Sequence, residues 1–202
     1  MLHFQAIQST TLELLKYLMS LEVFQKARLV GGTGLALQIG HRKSIDIDLF
    51  GLIEMDIFET GNLFKNNFRV HIIRKTQNIL VYSIDNVKVD IVNYGYPWLE
   101  NPIESDGIRL ASMKDIAAMK LSAISGRGSK KDFIDIFFLL KHFTLRELIK
   151  FYLAKYEDGS EFLVIKSLTY FEDAEKDEAP EMLENIYWED IKRQVRRAHK
   201  II

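Results

Sequence analysis

Ser44-Ile45-Asp46-Ile47-Asp48 alternates polar and apolar residues, the period of a half-buried strand. On such a strand residues i and i+2 face the same side, roughly 6.5–7 Å apart along the backbone. Two carboxylates converging there repel, and one is pushed toward its protonated form unless a cation lies between them. Hard divalent ions with oxygen ligands, Mg²⁺ above all or Mn²⁺ in its place, meet that demand. A lone pair of this kind more often marks a solvated strand face, so the neighbouring residues decide. Upstream, a β-like run over Ala27–Val30 ends in Gly31-Gly32-Thr33-Gly34 and passes into helix-forming Leu35–Ile39, which stops at Gly40. Unpaired N–H groups at a helix N-terminus bind phosphate, and glycines let it approach. This is not a Walker A loop, because no Gly-Lys-Ser/Thr follows, and Leu37 stands where a dinucleotide fingerprint needs its third glycine. A phosphate cradle here needs another partner, and the downstream acidic pair supplies one.

A third carboxylate, Asp90, lies in the strand-like run Val87-Lys88-Val89-Asp90-Ile91-Val92. It is a solvent-facing strand residue unless its strand adjoins that of Asp46 and Asp48. Side by side, the three make a site able to hold two metal ions about 3.5–4 Å apart, the clamp for in-line displacement at phosphorus. Further on come Lys120, Arg127, Lys130, Lys131, Asp132 and Asp135. Asp132 and Asp135 share a helix face at i, i+3. Lys120 can neutralise triphosphate charge as a point cation. The plainer readings are an exposed helix lysine and, for Asp132, a first-turn carboxylate favoured by the helix dipole.

The elements that must position these residues read as α+β. An amphipathic helix opens the chain, with Leu12, Leu14, Leu15, Leu18 and Met19 on one side. A mixed sheet of about five strands follows, over 27–30, 44–50, 68–74, 79–84 and 87–92, with a helix over 57–67. Asp85-Asn86 joins the last two strands as a tight hairpin turn. The second half is helical. Ser112-Met113-Lys114-Asp115 has the capping-box pattern and opens a helix to about Ser125. Gly126-Arg127-Gly128-Ser129 breaks it, and helices follow over 131–142, 145–155 and 161–168. The acidic stretch 171–180 reads as a solvated connection, and a basic helix over 188–202 ends the chain. Its Lys192, Arg193, Arg196, Arg197, His199 and Lys200 either grip RNA phosphates or form a solvated face suited to the C-terminal dipole. The expected division is an α/β core with its N-terminal helix over 1–110 and a helical region packed on it over 111–202.

Composition narrows the function classes. The 202 residues, 48% hydrophobic and 27% charged, are enough for one domain with a genuine core. There is no cysteine, which excludes disulfides and thiolate metal sites and suits the cytoplasm. No secretory signal is legible at the N-terminus, and no apolar run approaches the ~18 residues that cross a bilayer. A net charge of −1 gives no global pull toward nucleic acid.

Taken together, these residues resemble the polymerase-β-like nucleotidyltransferases, and among them the AbiEii/AbiGii toxin family of abortive-infection toxin–antitoxin systems. The matching stretches are Gly31-Gly32-Thr33-Gly34-Leu35-Ala36-Leu37, His41-Arg42-x-Ser44-x-Asp46-x-Asp48-Leu49-Phe50, and Lys120 through Arg127, Lys131 and Asp132 to Asp135. The resemblance implies the polymerase-β-like fold and Mg²⁺ (or Mn²⁺) bound by Asp46 and Asp48, to which the strand reading adds Asp90 as the third expected ligand. It implies nucleotide binding by Gly31, Gly32, Thr33, Ser44, Lys120 and Arg127, with Asp132 or Asp135 as the late catalytic carboxylate. The implied reaction moves a nucleotide from an NTP to RNA, tRNA among the candidates, or to protein, in the cytoplasm, with an antitoxin as partner. Two other readings stand beside it: a catalytically inactive nucleotide-binding or partner-binding module on the same fold, and a metal-dependent phosphohydrolase with water as acceptor.

Overall fold

The computed structural model describes residues 1–53, 64 and 67–202, so the helix expected over 57–67 lies almost wholly outside the described residues. The described chain divides into two compact units. One comprises Met1–Gly40, Ser44–Gly95 and Pro102–Ala111; the other comprises His41–Lys43, Tyr96–Asn101 and Ser112–Ile202. The expected boundary near 110 is thus joined by two earlier segments, 41–43 and 96–101, that belong to the second unit.

The first unit is built on a mixed sheet. Among the described residues it has seven strands, not five: β1 (Arg28–Leu29), β2 (Ile47–Gly51), β3 (Val70–Lys75), β4 (Ile79–Ile84), β5 (Val87–Asn93), β6 (Ile103–Ser105) and β7 (Ile108–Leu110). Their order is β3-β4-β5-β2-β1-β7-β6. β2 pairs parallel with β5 and antiparallel with β1, which in turn pairs parallel with β7. Two hairpins are closed by residues with positive φ. Asp85 and Asn86 lie at 46° and 67°, and Asp106 and Gly107 at 54° and 78°. Paired left-handed residues match the twist of the flanking strands, which is why Asp, Asn and Gly occur there. The second hairpin, β6–β7, escapes a reading by periodicity because each strand has three residues.

Alternation along the strands decides what is buried. Ile47 and Leu49 of β2, Leu80, Tyr82 and Ile84 of β4, and Val89 and Ile91 of β5 enter one core. The helix α1 (Ser9–Ser20) covers it with Leu14, Leu15, Leu18 and Met19. The residues between them, Asp48 and Phe50 on β2 and Asp90 and Val92 on β5, are left on the other face, half-buried. Helix α2 runs from Gly31 to Ile39 and ends at Gly40, whose φ of 67° needs glycine.

The second unit is helical: α3 (Met113–Gly126), α4 (Lys130–Leu139), α5 (Leu145–Lys155), α6 (Glu161–Ser167), α7 (Glu172–Glu175) and α8 (Trp188–His199). Ser112 caps α3 by accepting from the Asp115 backbone at 3.1 Å, and Thr144 and Glu147 form a reciprocal capping box on α5. The acidic stretch 171–180 is not merely solvated. Phe171 and Ala174 are buried, Asp177 accepts from the Lys130 backbone at 2.8 Å, and Glu175 accepts from the Lys192 ammonium at 2.5 Å. No described helix is long and apolar enough to cross a membrane.

Gly51 ends β2 where the backbone of Lys26 and Ala27 passes close by. A Cβ built there overlaps the Lys26 carbonyl oxygen and lies 2.9 Å from the Ala27 Cα. Neither neighbour is a flexible side chain, so Gly51→Ala is expected to lower stability by about 1–3 kcal/mol through overpacking. Urea denaturation of the variant beside the parent measures it.

Candidate active site

The acidic site begins with register. In the parallel pairing of β2 with β5, Asp48 stands directly opposite Asp90. Opposed residues on adjacent strands share a face, with backbones about 4.8 Å apart. Asp46 lies one residue before β2 and not within it, so the ladder does not orient it. Its position depends instead on a side chain of α2: the buried Thr33 hydroxyl donates to the Asp46 carbonyl. Thr33 Oγ1 also lies 2.8 Å from Ser44 Oγ. Thr33 and Ser44, two of the residues expected to bind nucleotide, therefore have hydroxyls engaged with each other and, through Thr33, with the strand entry.

The glycine element forms the first turn of α2. The helix starts at Gly31 itself, with Val30 as an N-cap that offers no side-chain acceptor. Gly31 has φ of 65°, and a Cβ there would overlap Asp48 Oδ2. Glycine is required twice at this position, by the backbone angle and by the carboxylate lying against it. The Val30 N–H donates to the Asp48 carbonyl at 2.9 Å, tying the helix start to the strand that bears the acid. The positive end of the α2 dipole thus begins where the Asp48 carboxylate lies.

The donor set suits a hard divalent ion: carboxylate oxygens alone, two of them placed opposite each other on one sheet face. Among the described residues, no three acidic or histidine side chains are drawn together into a cage. The Asp90 carboxylate instead meets the Lys88 ammonium, 2.7 Å from Oδ1 and 2.8 Å from Oδ2. Asp48 and Asp90 are the two carboxylates that the sheet sets opposite each other and that would hold such an ion, while Asp46 lies one residue before the ladder.

The later residues gather in the second unit. Lys120 of α3 is only 6% exposed, and its ammonium lies 2.8 Å from Asp132 Oδ1 and 2.6 Å from Asp135 Oδ2. Arg42 grips Asp135 with two parallel bonds, Nε to Oδ1 at 2.8 Å and a terminal nitrogen to Oδ2 at 3.0 Å. His41 Nε2 lies 2.8 Å from the same Oδ1. Asp132 accepts from Arg127 Nε at 3.0 Å and from Ser129 Oγ at 2.7 Å. Burial alone would push both carboxyls up. The Arg42 and Lys120 charges outweigh it at Asp135, holding it well below the usual carboxylate range. Lys120 and Arg127 do the same at Asp132, which is held at about 2. Burial would also push the Lys120 ammonium down, but the two aspartates overcome it and hold it up. Burial holds His41 below its ordinary value, so the ring is neutral at neutral pH, donates from Nε2 to Asp135 and leaves Nδ1 without a partner. His41 and Arg42 belong to the matching motif, yet nothing in their spacing indicates that they close on a carboxylate more than ninety residues away.

Among solved structures, the fold is similar to JHP933 from Helicobacter pylori, with a TM-score of 0.59 and 17% identity over 96% of this chain and 92% of that one. It is also similar to MenT4, the nucleotidyltransferase toxin Rv2826c of Mycobacterium tuberculosis H37Rv, with a TM-score of 0.63 and 12% identity over 94% of this chain and 79% of that one. These likenesses show a nucleotidyltransferase fold. In sequence, the uncharacterized protein aq_aa25 of Aquifex aeolicus (strain VF5) is 39% identical over 194 residues, 93% of each chain. The family model described as nucleotidyl transferase AbiEii toxin, Type IV TA system, matches residues 65–200. The chain belongs to the AbiEii nucleotidyltransferase toxin family, and it is a nucleotidyltransferase. The matched stretch holds Asp90, Lys120, Arg127 and Asp132, whereas Gly31, Asp46 and Asp48 precede it.

The buried network sets a pH dependence. Asp132 is held at about 2 against an ordinary 3.8, so its stabilising effect is complete above pH 4 and is lost as pH falls toward 2. The parent is expected to lose about 2 kcal/mol across that window through this residue. His41, held below its ordinary 6.5, adds an earlier loss, because the unfolded chain takes up its proton first as pH drops below that value. Urea denaturation from pH 7 to pH 2 checks both, with Asp132→Asn reducing the loss below pH 4 and leaving the share that Asp135 contributes.

Proposed function

We propose that this chain transfers a nucleotidyl group from an NTP to an RNA acceptor, in the cytoplasm, with Mg²⁺ (or Mn²⁺) held by Asp46, Asp48 and Asp90. The observation that supports this above all is the pairing of Asp48 with Asp90 beside the glycine-opened N-terminus of α2. The acceptor hydroxyl attacks the α-phosphorus, the bond from that phosphorus to the bridging oxygen breaks, and pyrophosphate leaves. Held by these carboxylates, a divalent ion would supply charge neutralisation for the transfer. The chain's own groups do the rest. The first-turn N–H groups of α2, at Gly31, Gly32 and Thr33, orient phosphate oxygens. Asp90 accepts the acceptor's proton. Thr33 and Ser44 hold the Asp46 segment against α2. Positioning and fixed charge, with no covalent enzyme intermediate, make up the catalysis.

For Lys120, Arg127 and Asp132 the network within the second unit supports a preorganised cationic group, its lysine held charged by Asp132 and Asp135, suited to phosphate. RNA is favoured over protein as acceptor by α8, where Arg193, Arg196, Arg197 and Lys200 line one hollow with a single acidic residue, Glu189. As a member of a toxin family, the chain is proposed to arrest growth and to be restrained by an antitoxin.

Incubation with each α-labelled NTP, Mg²⁺, and total RNA or lysate protein tests the reading. Label is expected in RNA, and Asp48→Asn or Asp46→Asn is expected to reduce it by at least about a hundredfold with the fold retained. Parental activity in either variant discredits the site. Release of free nucleotide without labelled polymer indicates hydrolysis, and nucleotide retention without turnover indicates a binding module.

A further inference from the structure

Lys88 belongs to the acidic site, although neither its motif nor its charge marks it out. It precedes Asp90 by two positions on β5, so the pleat returns both side chains to one face. The ladder with β2 begins at Val89 opposite Ile47 and sets Asp90 opposite Asp48, so Lys88 lies one residue outside the pairing, next to the acidic pair. The Lys88 ammonium lies within 2.8 Å of both Asp90 oxygens, but only Oδ2 receives an aligned hydrogen bond. Oδ1 is buried and has no aligned donor. The ammonium straddles the carboxylate as a point charge, the way a metal ion would, without satisfying its lone pairs.

We propose that Lys88 is a built-in competitor for the divalent ion, contending with it for the two oxygens of Asp90. The inference rests on the reading of Asp46, Asp48 and Asp90 as the ion's ligands. With Lys88 included, three carboxylates and one ammonium leave two negative charges, the complement of one divalent ion. With Lys88 removed, the site carries three, and ion binding no longer requires an ion pair to be broken. Lys88 therefore weakens ion binding in the nucleotide-free protein and keeps the carboxylates together when no ion is bound, by screening their mutual repulsion.

Mn²⁺ binding to the nucleotide-free full chain, followed by electron paramagnetic resonance of the free ion at low ionic strength, tests this without reference to turnover. Lys88→Met keeps the length of the side chain and removes its charge. It is expected to bind Mn²⁺ about fivefold more tightly than the parent, the strength of a favourable, partly exposed ion pair. Lys88→Arg, which retains the charge, is expected to stay within about twofold of the parent. Lys88 is exposed, and circular dichroism of each variant verifies the fold. Unchanged or weaker Mn²⁺ binding in Lys88→Met, while Asp48→Asn loses binding, overturns the competitor role and leaves the acidic site standing. Asp48→Asn binding Mn²⁺ as the parent does overturns the site and the competitor role with it.

Discussion

Strand β2 holds the acidic site in place through its two neighbours. On one side its parallel ladder with β5 sets Asp48 opposite Asp90. On the other its antiparallel pairing with β1 brings the chain, through Val30, straight into the first turn of α2. A strand's side chains alternate strictly, so a slip of one residue would turn Asp48 or Asp90 into the core and Ile47 and Leu49, or Val89 and Ile91, out of it. The hydrophobic face is thus what enforces the polar geometry. Ile47, Leu49, Val89 and Ile91 are fully buried, and their burial fixes which way Asp48 and Asp90 point.

The second unit is specified by charge to an unusual degree. Helix α3 carries two buried ionic anchors. Asp115 is fully buried and meets Lys155 of α5 at 2.7 Å, while Lys155 also donates to the Pro97 carbonyl at 2.8 Å and lies 4.4 Å from the centre of the Trp98 ring. Five residues later Lys120 meets Asp132 and Asp135 of α4. Removing one member of such a set leaves a buried charge without its counter-ion, which costs about 3–5 kcal/mol, although a well-packed apolar set in its place would be no less stable. These ion sites fix the rotation of α3 against both partner helices, a task that apolar packing with its tolerance for shape does less sharply.

Much of this was legible beforehand, and the exceptions have physical causes. The glycine turn, the alternation over β2, the Asp85-Asn86 hairpin and the Ser112 cap are local signals, and each appears within a few residues of its expected place. Asp46 falls just outside the strand expected to carry it, because the ladder with β5 begins at Ile47. Strands β6 and β7 are too short for alternation to register, although Asp106-Gly107 is the dipeptide that a two-residue hairpin wants. The contacts of His41 and Arg42 with Asp135 are long-range and depend on tertiary placement that no spacing encodes. Lys88 was within reach of the same i, i+2 rule that linked Asp46 to Asp48, but a lysine on a strand reads as solvated until its partner is seen.

The bare start of α2 has a consequence for energetics as well as recognition. A helix that begins on Val30 and three glycine-rich positions forgoes the roughly 1 kcal/mol that a serine or aspartate cap contributes, and its glycines add entropy to the unfolded side. In the proposed reading an anion arriving there would complete the turn's hydrogen bonding from outside. Under the proposed function, part of the affinity for a phosphate-bearing molecule is in this sense the deferred completion of the helix itself.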